Sequence, residues 1–108
     1  MLSNKERTIF NEFVSKIHIK FPSARIWAFG SRARDDATGE SDLDVCVVVD
    51  TLDDESEIAI MDTARQIGLE HDVIITTVIY SQEGFENAPR SESGLIHYIL
   101  SYGVPGSK

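Results

Sequence analysis

The chain has 108 residues, of which 42% are hydrophobic and 26% are charged, and its formal net charge is −8. This length suits one compact domain and leaves no room for a second hydrophobic core. The negative charge argues against a direct nucleic-acid partner, because an acidic surface binds a polyanion only through a local basic patch or bridging cations.

The first part of the chain predicts a helix followed by a strand. Ser3 and Glu6 have the spacing of a capping box, and apolar residues then recur every three or four positions, as on one face of a helix. We therefore predict a helix over about residues 4–20. The run Ala24–Phe29 predicts a short buried strand.

The central part predicts two more strands with a helix between them. β-branched residues dominate the run Asp42–Val48, which is typical of a strand. Asp53 and Asp54 are suitable caps for a helix that ends near Leu69. The run Asp72–Tyr80 predicts the third strand.

The last part predicts a turn-rich loop with one helical turn before Pro89, and then a helix over about residues 93–102. The order helix, strand, loop, strand, helix, strand, helix favours the α/β (α+β) class, with a small mixed β-sheet backed by helices. We expect residues 1–105 to form a single domain and residues 106–108 to be a tail outside it.

Three features bear on the cellular location. No apolar run approaches the roughly 18 residues of a membrane span, and the first residues are too charged for a signal peptide. The single cysteine, Cys46, agrees with a reducing compartment. We therefore expect a cytoplasmic protein with no membrane partner.

Acidic residues interrupt the apolar pattern of two predicted strands. Asp42 and Asp44 point to the same face of the second strand, with Cα atoms about 6.6 Å apart. Such a pair repels unless cations lie beside it, and Mg²⁺ binds oxygen ligands of this kind. If the third strand pairs with the second, Asp72 joins them in a two-metal site suited to phosphoryl or nucleotidyl transfer. Taken alone, the Asp42–Asp44 pair is more often a strand end in contact with solvent.

A candidate phosphate-binding turn follows the first strand. Gly30 allows a sharp turn and a close approach of the backbone to phosphate, and Ser31 adds a hydroxyl donor. Arg32 or Arg34 offers a charge-assisted contact to a phosphate oxygen, although either is equally suited to a surface ion pair.

Other reactive side chains have simpler interpretations. We expect Cys46 to be an inert residue of the strand and His71 to be an exposed loop residue. Trp27 and Phe29 are expected to fill the core or to line the floor of the pocket.

The segments GSRAR and SDLDV, followed downstream by the lone acid of HDVII, resemble the nucleotidyltransferase fold of the DNA polymerase beta superfamily. The chain is particularly similar to the minimal nucleotidyltransferases of prokaryotes. The resemblance covers the chain from Ala28 to about Ile75, and the helices at both ends resemble the family only in pattern.

The resemblance implies a set of roles. Gly30 and Ser31 would hold the nucleoside triphosphate, and Asp42 and Asp44 would bind two Mg²⁺ ions. Asp72 would bind the catalytic ion and help to activate an acceptor hydroxyl. The implied reaction is transfer of a nucleoside monophosphate, most plausibly AMP from ATP, with release of pyrophosphate.

The resemblance also implies a partner, because minimal nucleotidyltransferases commonly pair as antitoxins with a helical HEPN-domain toxin and modify its tyrosine hydroxyl. Two alternatives stay open. One is a non-catalytic module that neutralises a partner by contact, suggested by Asp35 where the family often has Gly. The other is an aminoglycoside-type nucleotidyltransferase for small molecules, which would need an acceptor pocket.

Overall fold

The computed structural model describes residues 2–29 and 43–106, except for the side chains of Ser91 and Glu92. Five of the predicted site residues (Gly30, Ser31, Arg32, Arg34 and Asp42) lie outside the described residues. The elements are α1 (Asn4–Lys20), β1 (Arg25–Phe29), β2 (Leu43–Val49), α2 (Asp54–His71), β3 (Ile75–Ser81), α3 (Gln82–Glu86), α4 (Arg90–Tyr102) and β4 (Val104–Pro105).

The strands form one mixed sheet in the order β3-β2-β1-β4. β1 pairs antiparallel with both β2 and β4, whereas β2 and β3 run parallel and are connected by α2. The predicted small mixed sheet backed by helices is therefore confirmed.

Helices cover both faces of the sheet. The side chains of β2 alternate between the faces, as in any strand. Leu43, Val45, Val47 and Val49 pack in one core cluster with apolar residues of α1 and α2. Cys46 and Val48 pack in a second cluster with residues of α3 and α4. By this alternation Asp44 belongs to the second face.

The two aromatic residues of β1 have the packing roles expected from the sequence. Phe29 is buried. The half-buried ring of Trp27 stacks on that of Phe85, with 5.5 Å between ring centroids, and the Arg25 guanidinium lies 5.2 Å from the Trp27 ring centroid. These contacts close the end of the second face that lies away from Asp44.

Local capping chemistry accounts for the helix boundaries. The Ser3 and Glu6 side chains form the predicted capping box of α1. The Asp53 carboxylate accepts a hydrogen bond from the Ser56 N–H at 2.8 Å and begins α2. Among the described residues, no helix is long and apolar enough to span a membrane.

The sequence prediction differs from the structure at several boundaries and at one strand. α2 ends at His71 rather than near Leu69, and α4 begins at Arg90 rather than near residue 93. β3 begins at Ile75 rather than at Asp72, because Asp72 adopts the left-handed conformation (φ 57°) that ends α2. The short strand β4 was not predicted. The Gly106 N–H, directly after β4, donates a hydrogen bond to the Ile26 carbonyl of β1 at 2.7 Å.

The turn from α2 into β3 depends on a close approach at Gly68. Its carbonyl accepts hydrogen bonds from the N–H groups of Asp72 and Val73. A Cβ atom at Gly68 would lie only 2.6 Å from the Val73 carbonyl oxygen. A side chain there would push the end of α2 away from the start of β3.

We therefore expect Gly68→Ala to lower the free energy of unfolding by about 1–3 kcal/mol, because the backbone must shift to relieve the overlap. The matched control is Gly94→Ala in α4, where an added Cβ meets nothing within 4 Å. That variant should be stabilised by up to about 1 kcal/mol through helix propensity. Urea unfolding of both variants measures the difference, and equal stabilities would contradict the packing account.

Candidate active site

Asp44 is the member of the predicted Asp42–Asp44 pair that the structure describes. It lies in β2, opposite Phe29 of β1 and beside Thr76 of β3. Paired residues in adjacent strands project to the same face of a sheet. The structure therefore brings together the Asp44 carboxylate and the Thr76 hydroxyl-bearing side chain on one face.

The packing of β2 explains why a carboxylate is tolerated there. Cys46 and Val48 are fully buried beneath residues of α3 and α4, such as Phe85 and Ile99. Asp44, which precedes them on the same face, is only half-buried and so keeps part of its hydration. β2 is therefore part of the core along most of its length, and its acidic residue lies where the packing of α3 and α4 over the strand ends.

Asp72 occupies a different position from the one expected at the start of a strand. It is the exposed C-cap of α2, and β3 begins three residues later. The pairing of β2 with β3 extends back to Ile74, whose carbonyl accepts a hydrogen bond from the Leu43 N–H at 2.8 Å. The convergence of Asp72 with Asp42 and Asp44 stays a prediction.

Thr76 is the site residue that the sequence analysis missed. The run Asp72–Tyr80 predicts which side chains share a face of the third strand, but it does not give the register of β3 against β2. The available signal was the pair of threonines, Thr76 and Thr77, in a largely apolar strand. The register alone places Thr76, rather than another residue of the strand, beside Asp44.

The donor atoms at this position fit a hard cation. A carboxylate and a neighbouring hydroxyl are oxygen ligands, which Mg²⁺ prefers. Cys46, two residues further along the same face, is fully buried, and this burial raises the pKa of its thiol to about 12. A thiol that stays protonated at neutral pH is neither a metal ligand nor a nucleophile.

We expect Cys46 to resist alkylation by iodoacetamide at pH 8 in the folded protein, because the thiol is buried and protonated. The same residue should react fully in 6 M guanidinium chloride, which is about the concentration that unfolds very stable domains. Mass spectrometry of the two samples gives the result. Rapid modification of the native chain would contradict the burial of Cys46.

A second group of polar side chains joins α1 to α2. Single ligand atoms of Glu12, Glu70 and His71 all lie within 4.8 Å of one another. The Glu12 carboxylate and the His71 Nε2 atom are 2.9 Å apart, and this hydrogen bond is the main cause that lowers the pKa of Glu12. The expectation of an exposed loop histidine was wrong, because His71 is half-buried at the end of α2. A hydrogen bond between two helices accounts for this group.

The lowered pKa of Glu12 gives a pH dependence. A carboxyl group with a depressed pKa in the folded state stabilises the protein above its ordinary value of 4.5, and this contribution is lost as the pH falls through the lowered pKa. Glu12→Gln should therefore be less stable than the parent above pH 4.5, and the difference should shrink in more acidic solution. Thermal unfolding between pH 3 and pH 6, about the range over which carboxyl groups titrate, measures it, and a constant difference would contradict the role of the Glu12–His71 hydrogen bond.

Comparison with known proteins identifies the family. The family model described as "Nucleotidyltransferase domain" matches residues 7–101, which include β1, β2, β3, α2 and α3 and most of α1 and α4. The chain therefore belongs to this family, and it is a transferase. The resemblance of the sequence to the nucleotidyltransferases is confirmed.

A relative named "Putative protein adenylyltransferase MJ0604", from Methanocaldococcus jannaschii, is 34% identical over 84 residues, which cover 76% of this chain and 79% of the relative. A crystal structure described as a toxin–antitoxin with AMP-PNP superposes with a TM-score of 0.61 at 20% identity, covering 91% of this chain and 74% of the other. A mutant of the toxin–antitoxin MntA–HpeT gives a TM-score of 0.59 at 18% identity with the same coverage. These structures have the same fold as this chain.

Proposed function

We propose that this protein is a magnesium-dependent nucleotidyltransferase that transfers AMP from ATP to a hydroxyl group on a protein partner. The observation that carries the proposal is the position of Asp44, a half-buried carboxylate beside Thr76, on the strand that follows the GSRAR segment and begins within SDLDV. Family membership and the relative named as a protein adenylyltransferase support transfer of a nucleoside monophosphate.

One group of residues in this chain would bind the metal ions, and another would bind the triphosphate. Asp42 and Asp44 would hold two Mg²⁺ ions, with Asp72 as the third candidate ligand. Magnesium, when bound, supplies positive charge that offsets the charge of the phosphate oxygens. Gly30 and Ser31 would donate hydrogen bonds to the triphosphate.

The transfer would be an in-line displacement. The acceptor oxygen forms a bond to the α-phosphorus of ATP, and the bond from that phosphorus to the bridging oxygen of pyrophosphate breaks. The hydroxyl proton passes to a carboxylate, for which Asp72 is the candidate. Arg32 or Arg34 would pair with the phosphate oxygens as charge moves to the leaving group.

A toxin is the class of partner that the comparisons favour. Two structures with the fold of this chain are described as toxin–antitoxin proteins, and one of them is described with AMP-PNP, an ATP analogue. We propose that this chain is the antitoxin of such a pair, that its partner is a helical HEPN-domain toxin, and that the two act in the cytoplasm.

Calorimetric titration of ATP with and without Mg²⁺ tests the proposal. We expect Mg²⁺-dependent ATP binding that Asp44→Asn weakens by about tenfold or more, because the variant removes a charged metal ligand. The matched control is Asp50→Asn, which changes the residue directly after the other end of β2 and should bind ATP normally. Unchanged affinity in Asp44→Asn would contradict the site.

A labelling experiment separates adenylyl transfer from contact-only neutralisation. Label from α-³²P-ATP should appear on the purified partner toxin in the presence of the parent protein, whereas label from γ-³²P-ATP should not. The Asp44→Asn variant should leave the toxin unlabelled. A toxin that is silenced to the same extent by the variant without labelling would favour the non-catalytic module.

A further inference from the structure

The open side of β3 and the neighbouring surface of α2 form an apolar groove that the nucleotidyl-transfer site does not use. The groove has a volume of about 410 Å³. Large apolar side chains that border it are exposed to solvent, with Met61 at 51%, Leu69 at 74% and Ile74 at 64%. Grouped exposed side chains of this size are typical of a binding surface rather than of scattered surface residues.

None of the residues that the structure describes covers the edge of the sheet beside this groove. β3 is an outer strand of the sheet in the described part of the chain. The hydrogen bond from Leu43 to the Ile74 carbonyl fixes the parallel ladder, so the N–H and C=O groups of Ile75, Thr77 and Ile79 point away from β2. Soluble proteins usually blunt such an edge with charged residues or proline, and the sequence ITTVIYS has neither.

Acidic residues flank the groove-lining residues of α2 and β3 along the chain. α2 runs back from the end of β2 to the start of the parallel strand β3. Asp54 and Glu57 fall on the same helical stripe as Met61 and therefore lie toward the far end of β3, whereas Asp72 lies near its start. Arg65, the one arginine of α2, lies between these carboxylates along the helix and forms an ion pair with Asp62.

This charge pattern selects the occupant. A second copy of the chain would bring the same carboxylates and a further net charge of −8 to the interface, which opposes association. We propose that the edge of β3 binds an extended segment of a protein partner as a fifth strand, with apolar side chains in the groove and basic residues at its ends. This mode of recognition uses backbone hydrogen bonds for affinity and side-chain pockets for specificity.

The docking position also bears on the acceptor. A strand added to β3 would lie two strand spacings, about 10 Å, from β2. Its side chain beside Thr76 would project to the face that carries Asp44. We infer that the docked segment carries the acceptor hydroxyl, and this last step rests on the proposed function.

A synthetic peptide tests the docking site without nucleotide or metal. The probe is fluorescein-labelled KKVTVSVTKK, which alternates valine with small hydroxyl residues between basic ends, and its control has glutamate at all four lysine positions. We expect the basic probe to bind and to shift the amide NMR signals of Ile75, Thr77 and Ile79. The acidic control should bind about tenfold more weakly or worse, because its charges meet carboxylates.

Two variants place the binding in the groove. Ile74→Glu and Leu69→Glu should each lower the affinity for the basic probe by about tenfold or more, since a carboxylate would enter the apolar contact. The matched control is Ile19→Glu, which changes an isoleucine that is 79% exposed on α1 and should leave the affinity unchanged. Circular dichroism confirms the fold of each variant.

Three results would overturn the docking site: no binding of the basic probe, equal binding of both peptides, or equal loss of affinity in Ile19→Glu. Sedimentation of the chain alone gives a fourth, because a dimer that Ile74→Glu dissociates would assign the edge to a second copy. Calorimetry separates this proposal from the proposed function, since Leu69→Glu, which changes a side chain of α2 away from Asp44, should bind ATP normally. Peptide binding without ATP binding would leave the docking site in place and remove only its link to the acceptor.

Discussion

The parallel pairing of β2 with β3 is the constraint on which both candidate sites depend. It sets Thr76 beside Asp44 on one face of the sheet, and it leaves alternate backbone groups of β3 directed to the open edge. A shift of one residue in this register would exchange the two faces of β3 and bury Thr76 on the side of α1 and α2. The candidate transfer site and the proposed docking edge therefore depend on the same set of hydrogen bonds.

The β2 strand shows how a small domain combines a core with a polar site. Its odd-numbered residues pack beneath α1 and α2, and its even-numbered residues pack beneath α3 and α4 until that cover ends near Asp44. A strand buried on both faces is rich in β-branched residues, and here valine occupies four of seven positions. The acid stands at the end of the strand, where partial hydration makes its charge tolerable.

The turn between α2 and β3 fixes where the parallel strand begins. Gly68 lets the backbone of Val73 approach closely, and Asp72 adopts a left-handed conformation that few residue types other than glycine tolerate. Aspartate is one of those few, so its backbone role alone explains an acid at this position. A second role for Asp72 in transfer is compatible with this geometry, since its side chain is exposed.

The sequence by itself determined most of the helices and strands, the fold class and the family. Periodicity and capping residues gave α1 with its correct ends, and the β-branched runs gave three strands, because these signals arise from contacts between near neighbours in the chain. The spaced GSRAR, SDLDV and HDVII segments led to the nucleotidyltransferases. The tertiary structure alone decided the register that brings Thr76 to Asp44, the pairing of His71 with Glu12, and the open edge of β3. Each of these joins residues distant in sequence, and their positions depend on how the helices and strands pack rather than on any local preference.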